Sequence, residues 1–121
     1  MKNALNWFEI PVKDLGRAAA FYDAVFACTL KQEHFDGRPI AVFPADERGV
    51  AGALVQDASW SPSAQGTLVY LDASGALESC LARVKAAGGE VLLPRTSVGE
   101  PGFIAIVRDP EGNRVGLHSP A

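Results

Sequence analysis

The order of apolar and polar positions changes period several times along this chain, and each change marks an element. From Leu5 to Val12 the residues alternate, with Trp7, Glu9 and Pro11 on one side and Phe8, Ile10 and Val12 on the other, as in a strand with one greasy face. Asp14 then suits a helix N-cap, and Leu15, Ala18, Ala19, Tyr22 and Val25 recur at helical spacing. A helix carrying that stripe packs on the Phe8 side, which turns Trp7 and Glu9 the opposite way. Three short β-rich runs follow, Cys28 to His34, Pro39 to Phe43 and Val50 to Gln56, parted by Asp36-Gly37 and Asp46-Glu47-Arg48-Gly49.

After a small, polar stretch from Asp57 to Gly66 the order begins again. A strand is predicted over Thr67 to Asp72, then a helix opened by Ser74, striped by Leu77, Cys80, Leu81, Val84 and Ala87 and stopped by Gly88-Gly89. Three more strands are predicted over Glu90 to Leu93, Phe103 to Val107 and Asn113 to His118, the last fed by the tight turn Asp109-Pro110-Glu111-Gly112. Pro94 to Gly102 reads as a polar loop able to act as a mobile lid. Sliding the chain by 62 positions lays one helical stripe on the other, the mark of an internal repeat. One domain over 1–121 is therefore expected to hold two β-α-β-β-β modules, 1–57 and 67–121, joined by a linker at 58–66. Two sheets with a helix on one side each can bury their free faces only against one another or around a ligand, which predicts a cleft between the modules.

Composition narrows the function. A chain of 121 residues, 48% hydrophobic, can bury a core of its own. A net charge of −3 with eleven scattered Lys and Arg leaves no basic stripe for nucleic acid. No run approaches the roughly 20 apolar residues of a membrane span, and the first residues lack the layout of a signal peptide, so a cytoplasmic protein is expected. Cys28 and Cys80 stand far apart, without a second ligand at metal spacing, and read as reduced, part-buried thiols. A Gly-rich phosphate loop, a nucleophile elbow and a paired-Cys redox site are all absent from the sequence.

Three stretches together carry a family likeness: Phe8-Glu9-Ile10-Pro11-Val12-Lys13-Asp14-Leu15 with Arg17 and Phe21-Tyr22; Ala82-Arg83-Val84-Lys85-Ala86-Ala87-Gly88-Gly89; and Asp109-Pro110-Glu111-Gly112-Asn113 with Leu117. Over essentially its whole length the chain resembles the vicinal oxygen chelate superfamily, the glyoxalase, bleomycin-resistance and extradiol dioxygenase group. The resemblance implies an α+β fold in which two tandem βαβββ modules form an incomplete mixed β-barrel. It also implies a small-molecule ligand or substrate and a homodimer, with exchange of modules between chains permitted by the linker. In the metal enzymes of such a family, ligands come from the first strand of each module, usually His, and from the last, usually Glu. Here those positions fall on Trp7, on or near Leu68, on Gly116, and around Gly52 to Leu54. None of these side chains can ligate zinc, nickel or iron, so neither a metal nor another cofactor is expected.

Alternation along the cavity strands leaves Glu9 beside Trp7, Tyr70 and Asp72 near the first strand of the second module, and Arg114 and His118 around Gly116. A carboxylate and an imidazole in one partly dry pocket can move a proton at neutral pH. Glu9 and His118 are thus the candidate catalytic pair, and Trp7, Tyr70, Asp72 and Arg114 the candidate ligand-binding residues. Three readings stay open: a structural polar network across the module seam, ligand or drug sequestration of the bleomycin-resistance type, and a metal-independent lyase or isomerase working by proton transfer.

Overall fold

The computed structural model describes residues 3–121. The first module runs β1 (Trp7–Val12), α1 (Leu15–Phe26), β2 (Lys31–Phe35), β3 (Arg38–Val42) and β4 (Ala51–Gln56). The second repeats it as β5 (Tyr70–Asp72), α2 (Leu77–Val84), β6 (Glu90–Ser97), β7 (Phe103–Arg108) and β8 (Arg114–Ser119). Each module makes a four-stranded sheet, in the orders β1-β4-β3-β2 and β5-β8-β7-β6. In both, the first strand lies parallel to the last and the other pairings are antiparallel. The two sheets together do not close into a barrel.

Local chemistry explains most of the boundaries. Asp14 caps α1 by accepting from the Arg17 backbone N–H at 3.1 Å. Asp36 and Gly37 both take positive φ (54° and 76°), as a two-residue turn between β2 and β3 requires. Ser74 does not open α2. Its backbone N–H and its hydroxyl both donate to Asp72 Oδ1, and the N-cap falls on Ala76, which has no side-chain cap. The helix also stops earlier than its stripe suggests, at Val84, and Gly88 takes the positive φ (100°) of the turn that follows. The expected lid shrinks as well. Pro94 to Ser97 belong to β6, an edge strand whose register shifts against β7 absorb the proline. What remains is a tight turn, closed by Val98 N–H donating to the Gly102 carbonyl at 2.9 Å and Gly102 N–H to that of Gly99 at 3.0 Å.

One continuous apolar core serves both modules. Ile10, Val12, Leu54, Ala18, Tyr22 and Val25 of the first meet Leu71, Cys80, Val84, Val107, Val115 and Leu117 of the second. The modules meet on their helix sides, where α1 contacts α2 and the Arg83 guanidinium donates to the Val25 carbonyl at 2.7 and 3.0 Å. Of the two arrangements expected for the free sheet faces, against one another or around a ligand, the first is not found within the chain. Trp7 on β1 is 46% exposed, Tyr70 on β5 is 43% exposed, and Phe35 on β2 is 65% exposed. The buried helix stripes already supply the apolar contact that the free faces were expected to provide.

The turn between β7 and β8 is the chief polar fastening between modules. Asp109, 2% exposed, accepts from the Tyr22 hydroxyl at 2.7 Å, from the backbone N–H groups of Glu111 and Asn113 at 2.9 Å, and from Asn113 Nδ2 at 3.2 Å. Burial, then the Asp109 charge and the hydrogen bond to it, push Tyr22 well above the usual phenol range, so its hydroxyl stays a donor. Two residues on, the buried Glu111 carboxylate accepts from the backbone N–H groups of Lys13 and Asp14 and from the Arg17 guanidinium. Burial pushes this carboxyl up, but those hydrogen bonds outweigh it and hold Glu111 below the usual carboxylate range.

A group whose folded pKa lies below its unfolded value stabilises the fold above the unfolded pKa and ceases to do so as pH falls through the folded one. The Glu111 contribution is therefore full above about pH 4.3 and is lost on further acidification. Glu111→Gln is expected to lower Tm at pH 7 and to flatten the fall of Tm on acidification below about pH 4.3. Thermal melts across that range check it, and parallel curves for the two proteins would contradict it.

Candidate functional site

Where the two modules adjoin beside the linker, they enclose a cavity of ≈ 280 Å³. One wall is β1, with Glu9 and Pro11; the opposite wall is the start of β8, with Asn113 and Arg114; Ser61, Ser63, Gln65 and Thr67 close it from the linker side. Asn113 holds this seam. Its Nδ2 donates to the Pro11 carbonyl at 2.7 Å while its Oδ1 accepts from Ser63 N–H at 3.1 Å, tying β1, β8 and the linker together. The lining thus offers a carboxylate, a guanidinium, hydroxyls and amides, a donor and acceptor set matched to a small, oxygen-rich molecule rather than a hydrocarbon.

The six residues singled out from the sequence do not form one cluster. Glu9 and Arg114 line the seam cavity. Trp7 lies beside it on the free face of β1, its indole N–H donating to Glu9 Oε2 at 3.2 Å. Tyr70 and Asp72 line a different, more apolar cavity. His118 lines neither: its Nε2 lies 2.7 Å from the Pro101 carbonyl. A carbonyl only accepts, so this ring nitrogen is the donor of the pair. Asp72, the register partner of His118, is held below the usual carboxylate range first by the Ser74 hydroxyl, then by the Ser74 backbone N–H, with a smaller contribution from His118.

Sequence reading missed the linker residues and Asn113. The stretch from Asp57 to Gly66 has no periodicity and reads as a connector. The available signal was its composition, a Trp among hydroxyl and amide side chains, which suits a cavity rim better than a free tether.

The metal-ligand positions can be tested against the fold. Gly116 pairs with Tyr70, and a Cβ at Gly116 would lie 2.4 Å from the Tyr70 ring. The volume that a last-strand glutamate would enter is therefore filled by a phenol ring. In the first module, a Cβ at Gly52 would lie 2.4 Å from the Phe8 ring, on the side facing the core. Among the described residues no three His, Cys, Asp or Glu side chains converge as a metal site. The residues present do not fit the family's divalent ion. No helix among the described residues is long and apolar enough to cross a membrane.

Comparison with known proteins agrees with this architecture. Residues 4–117 match the family model of the Glyoxalase/Bleomycin resistance protein/Dioxygenase superfamily. Among solved structures, a glyoxalase/bleomycin resistance protein from Albidiferax ferrireducens T118 superposes with a TM-score of 0.72 at 19% identity, covering 97% of this chain and 99% of that one. A glyoxalase-related enzyme from Fulvimarina pelagi gives a TM-score of 0.69 at 19% identity over 97% and 88% of the two chains. A genomically encoded fosfomycin resistance protein from Listeria monocytogenes gives 0.68 at 20% identity over 100% and 94%. At such identities the likeness is one of fold. No curated protein matches the sequence.

Proposed function

Because the chain belongs to the Glyoxalase/Bleomycin resistance protein/Dioxygenase superfamily, we propose that it binds a small, oxygen-bearing organic molecule in the seam cavity between its modules. The observation that carries this reading is that Glu9 from one module and Arg114 from the other line the same ≈ 280 Å³ space. Arg114 donates to a ligand carbonyl or carboxylate, Glu9 accepts from a hydroxyl or amide N–H, and the Ser and Thr hydroxyls meet the remaining oxygens. A cavity of this size takes a metabolite of few heavy atoms. A thermal-shift screen of small hydroxy acids, keto acids and diols tests it, since a ligand at a hundred times its dissociation constant adds roughly 2.7 kcal/mol. Arg114→Gln should abolish the shift for acids; an unchanged response would contradict the assignment.

The juxtaposition of Glu9 and Arg114 also favours a second reading, a metal-independent isomerase. Glu9 would take a proton from the carbon next to a carbonyl, the C–H electron pair would form a C=C bond, and the carbonyl π pair would move to an oxygen held by Arg114. If that carbon also bears a hydroxyl, its O–H proton passes to the oxygen held by Arg114 and its O–H pair forms a new C=O. The C=C pair then takes the proton back from Glu9 at the former carbonyl carbon, which completes the isomerisation of an α-hydroxy carbonyl without any other reactant. Deuterium from solvent would then enter the ligand in the wild type and not in Glu9→Gln, while pure sequestration gives no exchange in either.

The exposed Trp7 and Phe35 support a homodimer in which a second copy covers the free face of the first module's sheet. Sedimentation should report twice the chain mass at micromolar concentration, and a chain monomeric throughout would contradict it. Free thiols at Cys28 and Cys80 support a reducing, cytoplasmic setting.

A further inference from the structure

A second cavity, of ≈ 340 Å³, opens at the C-terminal end of α1 and shares Val69 with the lining of the seam cavity. Phe8, Phe26, Phe43 and Tyr70 give it four aromatic walls, and Cys28 lines it as a thiol. Asp72 is the sole formally charged side chain in the lining. Its Oδ1 takes both hydrogen bonds from Ser74, and among the described residues no donor reaches its other oxygen. The bonds from Ser74 keep that carboxylate ionised at neutral pH. An anionic guest would meet no cationic side chain in the lining and would face the Asp72 carboxylate. A guest with a flat apolar body and one ammonium group would satisfy the free oxygen and lay its ring or its charge against aromatic faces. An engineered cavity of roughly 150 Å³ already admits benzene, so this one has room for a single ring with a short chain.

We propose that this aromatic cavity is a separate binding site for a small arylalkylammonium ion, its ring among Phe8, Phe26 and Phe43 and its ammonium on Asp72. The site shares only Val69 with the seam cavity and does not rest on the function proposed there. Cys28 supplies the readout. It is half-buried on the cavity wall, whereas Cys80 is 2% exposed in the core and serves as an internal reference.

The rate of Cys28 alkylation by N-ethylmaleimide, followed by peptide mass, is measured with protonated 2-phenylethylamine and with 3-phenylpropionate, which has a similar ring and chain but the opposite charge. The amine is expected to protect in a saturable way, slowing alkylation roughly tenfold at ten times its dissociation constant. The acid is expected not to protect. Asp72→Asn should remove the preference for the amine. Should that variant unfold, Val50→Phe, which fills the cavity from the residue before β4, should remove protection with Tm retained. Equal protection by both compounds, no protection by the amine, or protection that survives Val50→Phe would overturn the proposal. Retention of the Arg114-dependent thermal shift in Val50→Phe would separate failure here from failure at the seam.

Discussion

Asp109→Ala is expected to destabilise the chain by about 3–5 kcal/mol, the largest loss of any single polar residue, because one buried carboxylate satisfies four donors at once. Truncation leaves the Tyr22 hydroxyl without its acceptor in the middle of the core and releases the backbone N–H groups of Glu111 and Asn113. A buried donor without a partner costs about 1–3 kcal/mol, more than the same bond contributes when formed. At this chain length Tm should fall by roughly 10–20 °C. Tyr22→Phe, which removes only one donor, should cost about 1–3 kcal/mol. Denaturant melts of the two variants check the ratio. A loss below about 1 kcal/mol for Asp109→Ala would mean that the modules do not depend on this turn.

Gly102→Ala should come second, at about 2–4 kcal/mol. Two independent demands meet at this residue: its φ of 114° is rarely open to an L side chain, and a Cβ there would lie 2.4 Å from the Ser119 carbonyl oxygen and 2.7 Å from Pro120 Cα. Both obstacles are backbone, so neither can swing aside. The cost reaches the site as well, since the neighbouring Pro101 carbonyl accepts from His118. The His118 imidazole resonances should therefore move in this variant while the remaining core signals persist. An alanine variant of wild-type stability would contradict the backbone clash.

Much of the fold was legible because it is written in period. The alternation of Trp7 to Val12 and the stripe from Leu15 to Val25 depend only on which side of an element is covered, and the repeat displays both twice. The Asp36-Gly37 turn was legible because its backbone geometry is open to few residue types. Pro94 to Ser97 were misread because proline argues against a strand, and only the register of β6 on β7 shows the irregularities that accommodate it. Ser74 was misread because sequence cannot show that Asp72 has already engaged its hydroxyl.

The site was legible one residue at a time and not as an arrangement. Alternation placed Glu9, Tyr70, Asp72, Arg114 and His118 on free sheet faces, but alternation carries no information about how two sheets sit beside each other. That is set by side chains reaching across the chain, such as Asn113 to Pro11 and Tyr22 to Asp109. The same holds for the ligand positions of the metal enzymes. Glycine at position 116 announces a missing donor, but only the paired strand shows that Tyr70 has taken its volume.

Crystals of the chain soaked with the strongest acid from the thermal-shift screen give the most direct test. Density for the acid is expected between β1 and the start of β8, with an oxygen within hydrogen-bond distance of the Arg114 guanidinium and no ion beside it. Density for the acid on another surface with the Glu9–Arg114 space filled only by water, or a metal bridging it to the protein, would contradict the account.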